Sequence, residues 1–242
     1  MFICIRRIHL RLAAWVLVCV LGTAGLLYGR QGAVKPVFSV REGAPVTVIV
    51  DPGHGGEDGG ALSPDGVEES EVNLAIALRV ESLLRFAGQR TDMTRREDVS
   101  IHDAAAQTIR QKKSSDLKNR VQLVNSTENA VLLSIHQNSL PSSTATWGAQ
   151  AFWNRQEGGE PLAKAVQDSL NACINTHRAK EAKAIGSDVY LMKNIQTPGV
   201  LVECGFLSNA EETVRLGQEA HQRKIACAIV SGLLRGMAGE GA

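Results

Sequence analysis

Residues 46–50, VTVIV, form an apolar and β-branched run that stops at Asp51-Pro52-Gly53-His54-Gly55-Gly56. A run bounded in this way predicts a buried strand with His54 presented just past its end. The glycines open backbone conformations closed to other residues and let neighbouring groups approach closely. From Ser70 the period changes. Val72, Ile76, Leu78, Val80, Leu83 and Leu84 fit one broad face of a helix ending near Gly88, with Ser70 as its cap and Glu69 at its entrance. Residues 89–94 predict a second strand. Residues 115–126 predict a helix that buries Leu117, Val121 and Val124, while Arg120 and Asn125 hold local structure.

The run AVLLSI at 130–135 repeats the opening pattern. It reads as a buried parallel strand and delivers His136 and then Asn138. Further on, the pattern predicts a strand at 147–153, a helix at 159–175 and a short strand at 188–192. A last core strand at 200–202 ends in Glu203. Ser208-Asn209 caps a short helix, and a closing helix covers 218–237. Strands alternating with helices predict an α/β fold: a single domain with a mostly parallel mixed sheet of about six strands and helices on both faces. In such a sheet the carboxyl ends of the parallel strands lie together and bind ligands, so His54, His136 and Glu203 are expected at one site.

The N-terminus reads differently. Arg6, Arg7 and Arg11 precede an uncharged run from Leu12 to Tyr28, 17 residues long. As a helix it spans about 25 Å, short for a membrane helix. The basic flank stays inside, so the remainder is exported. Residues 1–30 are therefore a signal anchor or a cleaved signal peptide, 31–45 a linker and 46–238 the catalytic domain. The four arginines of residues 1–30 account for more than the whole net charge of +1, which leaves −3 for the rest. A slightly acidic domain gives no electrostatic case for nucleic-acid binding. At 242 residues, 44% hydrophobic, the chain suits one well-cored domain with an appendage. Cys173, Cys204 and Cys227 are an odd number without CxxC spacing. They read as small buried hydrophobes, although one buried pair stays open.

Two histidines and a carboxylate are the ligand set of a catalytic zinc ion with an open fourth position. A second carboxylate off the metal can move protons. Glu203, finishing an apolar strand, is the candidate for that second role. Asp51 is its rival, although its place before Pro-Gly favours holding the turn. Glu69 reads equally as a helix-start residue favoured by the helix dipole. His177, in polar surroundings, reads as solvated. No HExxH, GxSxG, phosphate-binding or dinucleotide motif is present. Spacing alone leaves metal ligation and structural roles both open.

The motifs decide further. DPGHGG at 51–56, EESEVNLAIA at 68–77, TRRED at 94–98, LKNRVQLVN at 117–125, LLSIHQNS at 132–139 and GVLVECGFLSN at 199–209 resemble the zinc-dependent N-acetylmuramoyl-L-alanine amidases. The resemblance implies that His54, Glu69 and His136 bind zinc and that Glu203 is catalytic. It also implies hydrolysis of the amide between the lactyl group of N-acetylmuramic acid and L-alanine in peptidoglycan. HQNSLPS at 136–142 and GAQAFW at 148–153 are similar to germination-specific amidases of spore formers, which prepare the cortex for muramic-δ-lactam formation. A general vegetative wall amidase is the alternative. Set against that family, the short polar segment 97–118 predicts an open site, Asn138 either orients substrate or braces its loop, Gln137 is a departure that tunes substrate fit, Cys204 beside Glu203 packs, and an activating partner protein is a further possibility.

Overall fold

The computed structural model describes residues 45–239. The expected signal segment and almost all of the linker lie outside the described residues. The elements in chain order are β1 (Thr47–Pro52), α1 (Glu69–Phe86), β2 (Arg90–Met93), α2 (Ile109–Ser126), β3 (Ala130–Asn138), β4 (Gln150–Trp153), α3 (Gly159–Cys173), β5 (Lys183–Ala184), α4 (Tyr190–Asn194), β6 (Gly199–Phe206), α5 (Ala210–Leu216) and α6 (Glu219–Ala238).

Among the described residues the strands form one six-stranded sheet in the order β2-β1-β3-β6-β4-β5. The pairs β2–β1, β1–β3, β3–β6 and β4–β5 are parallel, and β4 runs antiparallel to β6. The fold is thus the expected α/β sheet, mostly parallel and mixed. Successive strand residues point to opposite faces, and both faces are covered. Val48, Val50, Leu133 and Val202 pack with α1, α3 and α6. Ile49, Leu132 and Leu201 pack with Val124 of α2 and with Leu191 and Met192 of α4. Each fully buried aliphatic side chain contributes about 1.5–3 kcal/mol. The doubly covered central strands are therefore the rigid part: His54 lies just past the end of β1, while His136 and Glu203 lie within the C-terminal halves of β3 and β6, the latter running on to Phe206 instead of ending at Glu203.

Several boundaries differ from the sequence pattern, for local reasons. The expected strand at 188–192 is the helix α4. Leu191, Met192 and Ile195 all turn into the core, which is i, i+1, i+4 spacing and not alternation. The outer strand is instead Lys183–Ala184, two exposed residues beside Phe152 and Trp153 that carry no apolar signal. Ser70 is not a cap. It lies inside α1, whose first N–H groups are taken by loop carbonyls: Glu69 N donates to Ala61 O at 2.9 Å and Ser70 N to Gly59 O at 3.0 Å. Helix α2 begins six residues earlier than expected, at a capping box in which the Thr108 side chain accepts from Gln111 N while the Gln111 side chain reaches back. Asn209 caps α5 as expected. Cys173, Cys204 and Cys227 are free. Cys204 is buried, but Cys227 is exposed on α6, contrary to its reading as a core residue. Among the described residues no helix is long and apolar enough to cross a membrane.

Candidate metal centre

The turn after β1 is pinned by two guanidinium groups. Arg95, buried, donates through Nε to Pro52 O at 3.1 Å and through Nη2 to Gly53 O at 3.0 Å and Ser70 O at 2.9 Å. Arg120 donates to Pro52 O at 2.9 Å and His54 O at 2.8 Å. His54 is thereby held at φ 61°, a left-handed conformation that non-glycine residues seldom adopt outside constrained sites. Asp51, the rival carboxylate, faces away from this chemistry. It accepts from Arg120 at 2.6 Å, Thr94 at 2.7 Å and Ser134 at 2.6 Å. Burial would raise its carboxyl, but Arg120 and the two hydroxyls outweigh burial and hold it below its ordinary value. Arg120 is likewise structural, and His177 lies exposed beside Trp147.

Three expected ligands converge. His54 Nε2 lies 3.3 Å from Glu69 Oε1, and His136 Nδ1 lies 2.8 Å from the same oxygen. The two rings meet edge to face with centroids 5.1 Å apart. One donor atom from each of His54, Glu69 and His136 lies within 4.8 Å of the others. Glu69 is the first residue of α1 and is 4% exposed. It is fixed by Asn73 Nδ2 at 3.2 Å, by Ala61 N at 2.9 Å and by Gln137 N at 3.2 Å. Asn73 is itself held by Gln137 at 3.1 Å. Gln137 therefore braces the Glu69 carboxylate. Burial would raise the Glu69 carboxyl, yet its bonds to His136 and His54 hold it far below the carboxylate range. Burial would lower His54, yet Asp58 and Glu69 hold it up at about 9.

Two glycines show that the space is shaped for these rings. A Cβ on Gly53 would stand 2.2 Å from His136 Cε1. Gly60, at φ +74°, would place one 2.6 Å from Glu69 Oε2 and 2.8 Å from His54 Cδ2.

Glu203 faces this cluster from β6, in register with His136 of β3. Its Oε2 is buried without a hydrogen-bond partner among the described residues. Burial pushes the carboxyl up to about 7, with His136 opposing and Glu69 adding. An unpaired carboxylate oxygen beside a two-histidine, one-carboxylate donor set fits a catalytic divalent cation with an open position. The two histidine side chains stay partly accessible, His54 at 20% and His136 at 21%, while Glu69 is buried between them and the core. Beyond Glu203 the strand is braced by Glu212 of α5, which accepts from Phe206 N at 2.8 Å and Gly148 N at 2.9 Å. The sequence pattern assigns no role to Asn73 or Asp58, and it places Arg95 at the end of the second strand and Glu212 in the first turn of the short helix without showing what they hold. Asn73 had a signal, since it stands four residues after Glu69 on the same helix face.

The fold and this cluster define an α/β enzyme whose candidate metal-binding residues gather toward the carboxyl ends of the parallel strands of a mixed sheet. The sequence profile of the N-acetylmuramoyl-L-alanine amidases matches residues 48–235, and the chain belongs to that family. It is 38% identical over 189 residues to the germination-specific N-acetylmuramoyl-L-alanine amidase of Bacillus subtilis, covering 78% of each chain. It is similar to the CwlD amidase of Clostridioides difficile, solved in complex with the GerS lipoprotein, at 36% identity and a TM-score of 0.76, covering 80% of this chain and 99% of that one. An N-acetylmuramoyl-L-alanine amidase from Clostridium difficile 630 superposes with a TM-score of 0.71 at 27% identity, covering 82% and 100%. The protein is an N-acetylmuramoyl-L-alanine amidase acting on peptidoglycan.

Proposed function

We propose that this amidase is a zinc enzyme in which His54, Glu69 and His136 hold the ion and Glu203 moves the proton, and that it serves spore cortex maturation. The observation that carries the reading is the meeting of His54 Nε2 and His136 Nδ1 on one Glu69 oxygen, next to the unpartnered Glu203 carboxylate. Each imidazole would bind the ion through one ring nitrogen, and the Glu69 carboxylate would offset one positive charge. Held by these three residues, a zinc ion would supply Lewis acidity and make hydroxide available near neutral pH. Glu203 accepts the proton of the attacking water and hands it to the leaving amine of L-alanine. A carboxyl poised near neutrality suits both transfers. Asn138, at the end of β3, orients the muramoyl-peptide.

Residues 46–238 are the catalytic domain, 31–45 a linker and 1–30 the segment that exports or anchors it at the cell-wall side of the membrane. Likeness to the germination-specific amidase of Bacillus subtilis supports the cortex role, in which removal of the peptide frees muramic acid for δ-lactam formation. Likeness to the CwlD amidase solved with the GerS lipoprotein supports a partner protein for this chain as well.

Elemental analysis of the purified protein tests the metal. About one zinc per chain is expected in wild type and none in His136→Ala. Digestion of peptidoglycan should release new N-terminal L-alanine without new reducing sugar. Spores made without the protein are expected to lack muramic-δ-lactam. Wild-type protein that neither holds zinc nor takes it up on addition would refute the ligand assignment, and lactam in the deleted strain would refute the cortex role.

A further inference from the structure

We infer that Asp58 is a positioning residue for His54, fixing the ring so that Nε2 is presented to the metal, and that Lys113 of α2 holds Asp58 in place. This rests on the zinc reading above. His54 Nδ1 lies 3.0 Å from Asp58 Oδ2, while Nε2 on the other side of the ring faces Glu69. The approach is a charge contact whose angle falls outside hydrogen-bond geometry, so Asp58 stands behind Nδ1 while Nε2 is the atom turned toward Glu69 and a cation. A carboxylate behind a metal-bound imidazole orients the ring and raises its basicity as a ligand.

The local chain explains how Asp58 reaches the ring. Residues 55–58 form a tight turn closed by backbone bonds, Gly55 N to Asp58 O at 2.8 Å and Asp58 N to Gly55 O at 3.3 Å. That closure sends the Asp58 side chain back over the residue four positions earlier. The turn is in turn held by a distant element. Lys113 Nζ lies 3.0 Å from Asp58 Oδ2, and the neighbouring Lys112 pairs with Glu57. Both lysines project from the first turns of α2, whose start is fixed by the Thr108–Gln111 capping box. The helix that supplies Arg120 to the back of the His54 turn thus supplies Lys113 to its front.

Because the turn closes through backbone atoms, any side chain at 58 keeps those bonds, and substitution there tests the carboxylate itself. The measurement is zinc affinity of the full chain by chelator competition, for wild type, Asp58→Ala, Asp58→Asn and Lys113→Met, with melting temperatures of the metal-free forms alongside. Asp58→Ala is expected to bind zinc about 10–100-fold more weakly. Asp58→Asn keeps an acceptor oxygen without the charge and should lose an intermediate amount. Lys113→Met removes a half-exposed ion pair and should weaken binding by about fivefold or less. Zinc affinity unchanged in Asp58→Ala, with only a lowered melting temperature, would make Asp58 a structural residue and overturn the inference. If the alanine variant does not fold, undiminished affinity in Asp58→Asn overturns it equally. Failure of wild type itself to bind zinc would instead strike the ligand assignment, and this inference with it.

Discussion

Glu203→Gln is expected to lower kcat by about 10²–10⁴ while zinc content stays at the wild-type level. The substitution keeps size and shape and removes the proton-carrying function. Its effect separates from that of His136→Ala because Glu203 is not among the three converging donors, which come from β3, from the turn after β1 and from the start of α1. The environment argues for a chemical role over a packing one. A packing glutamate would have its oxygens satisfied, as Glu212 does by two backbone N–H groups. Glu203 Oε2 has no such partner among the described residues, and burial holds the carboxyl at about 7. A cation beside it favours the ionised form, so the acid limb of wild-type kcat should lie at or below about pH 7 and should be absent from the residual activity of Glu203→Gln. Full activity in the glutamine variant would remove Glu203 from the mechanism. Loss of zinc along with activity would make it a ligand.

What the sequence made legible follows from where the physics is local. A buried parallel strand is a short apolar run, and a residue that breaks such a run is conspicuous, so His54, His136 and Glu203 stood out. Glu69 did not, because a glutamate at a helix start is explained equally well by the helix dipole. Only the motif likeness separated it from Glu68 and Glu71, and the fold then set it against both histidines. Asp58 has no periodic signal at all: its position depends on the turn at 55–58 and on a helix more than fifty residues later. The outer strand and α4 were misread for a related reason. Lys183 and Ala184 are exposed and pair only on the side facing β4, whereas Val189, Tyr190 and Leu191 have strand-like side chains in a segment whose packing makes one helical turn. The start of α2 was readable in Thr108 and Gln111, but the helix behind them is polar and offers few apolar positions to anchor the pattern.

Arg120→Met is expected to destabilise the fold by about 3–5 kcal/mol in urea denaturation, a large share of the roughly 5–15 kcal/mol typical of a domain. Arg120 is 2% exposed and joins Asp51 at 2.6 Å, Asp116 at 2.7 Å and the carbonyls of Pro52 and His54. Removing it strands a buried Asp51 carboxylate at the end of the central strand. Lysine should not rescue, since one ammonium cannot span two carboxylates and two carbonyls in the plane that a guanidinium offers. The pH dependence carries a sign. In wild type Asp51 is held below its ordinary value, so its contribution is complete above about pH 4 and is lost as pH falls through the lower folded value. In Arg120→Met burial acts unopposed by the guanidinium, and the carboxyl rises. The Ser134 and Thr94 hydroxyls still favour its charged form, so the stabilisation gained as pH rises to about 4 is smaller than in wild type. The gap between wild type and variant should therefore be widest near neutrality and narrow below about pH 4. Activity should fall with stability even under conditions where the variant stays folded, because the carbonyl of His54 loses the donor that helps to hold its left-handed backbone. A constant gap from pH 3 to 7 would show that Arg120 acts through packing alone and not through the Asp51 charge.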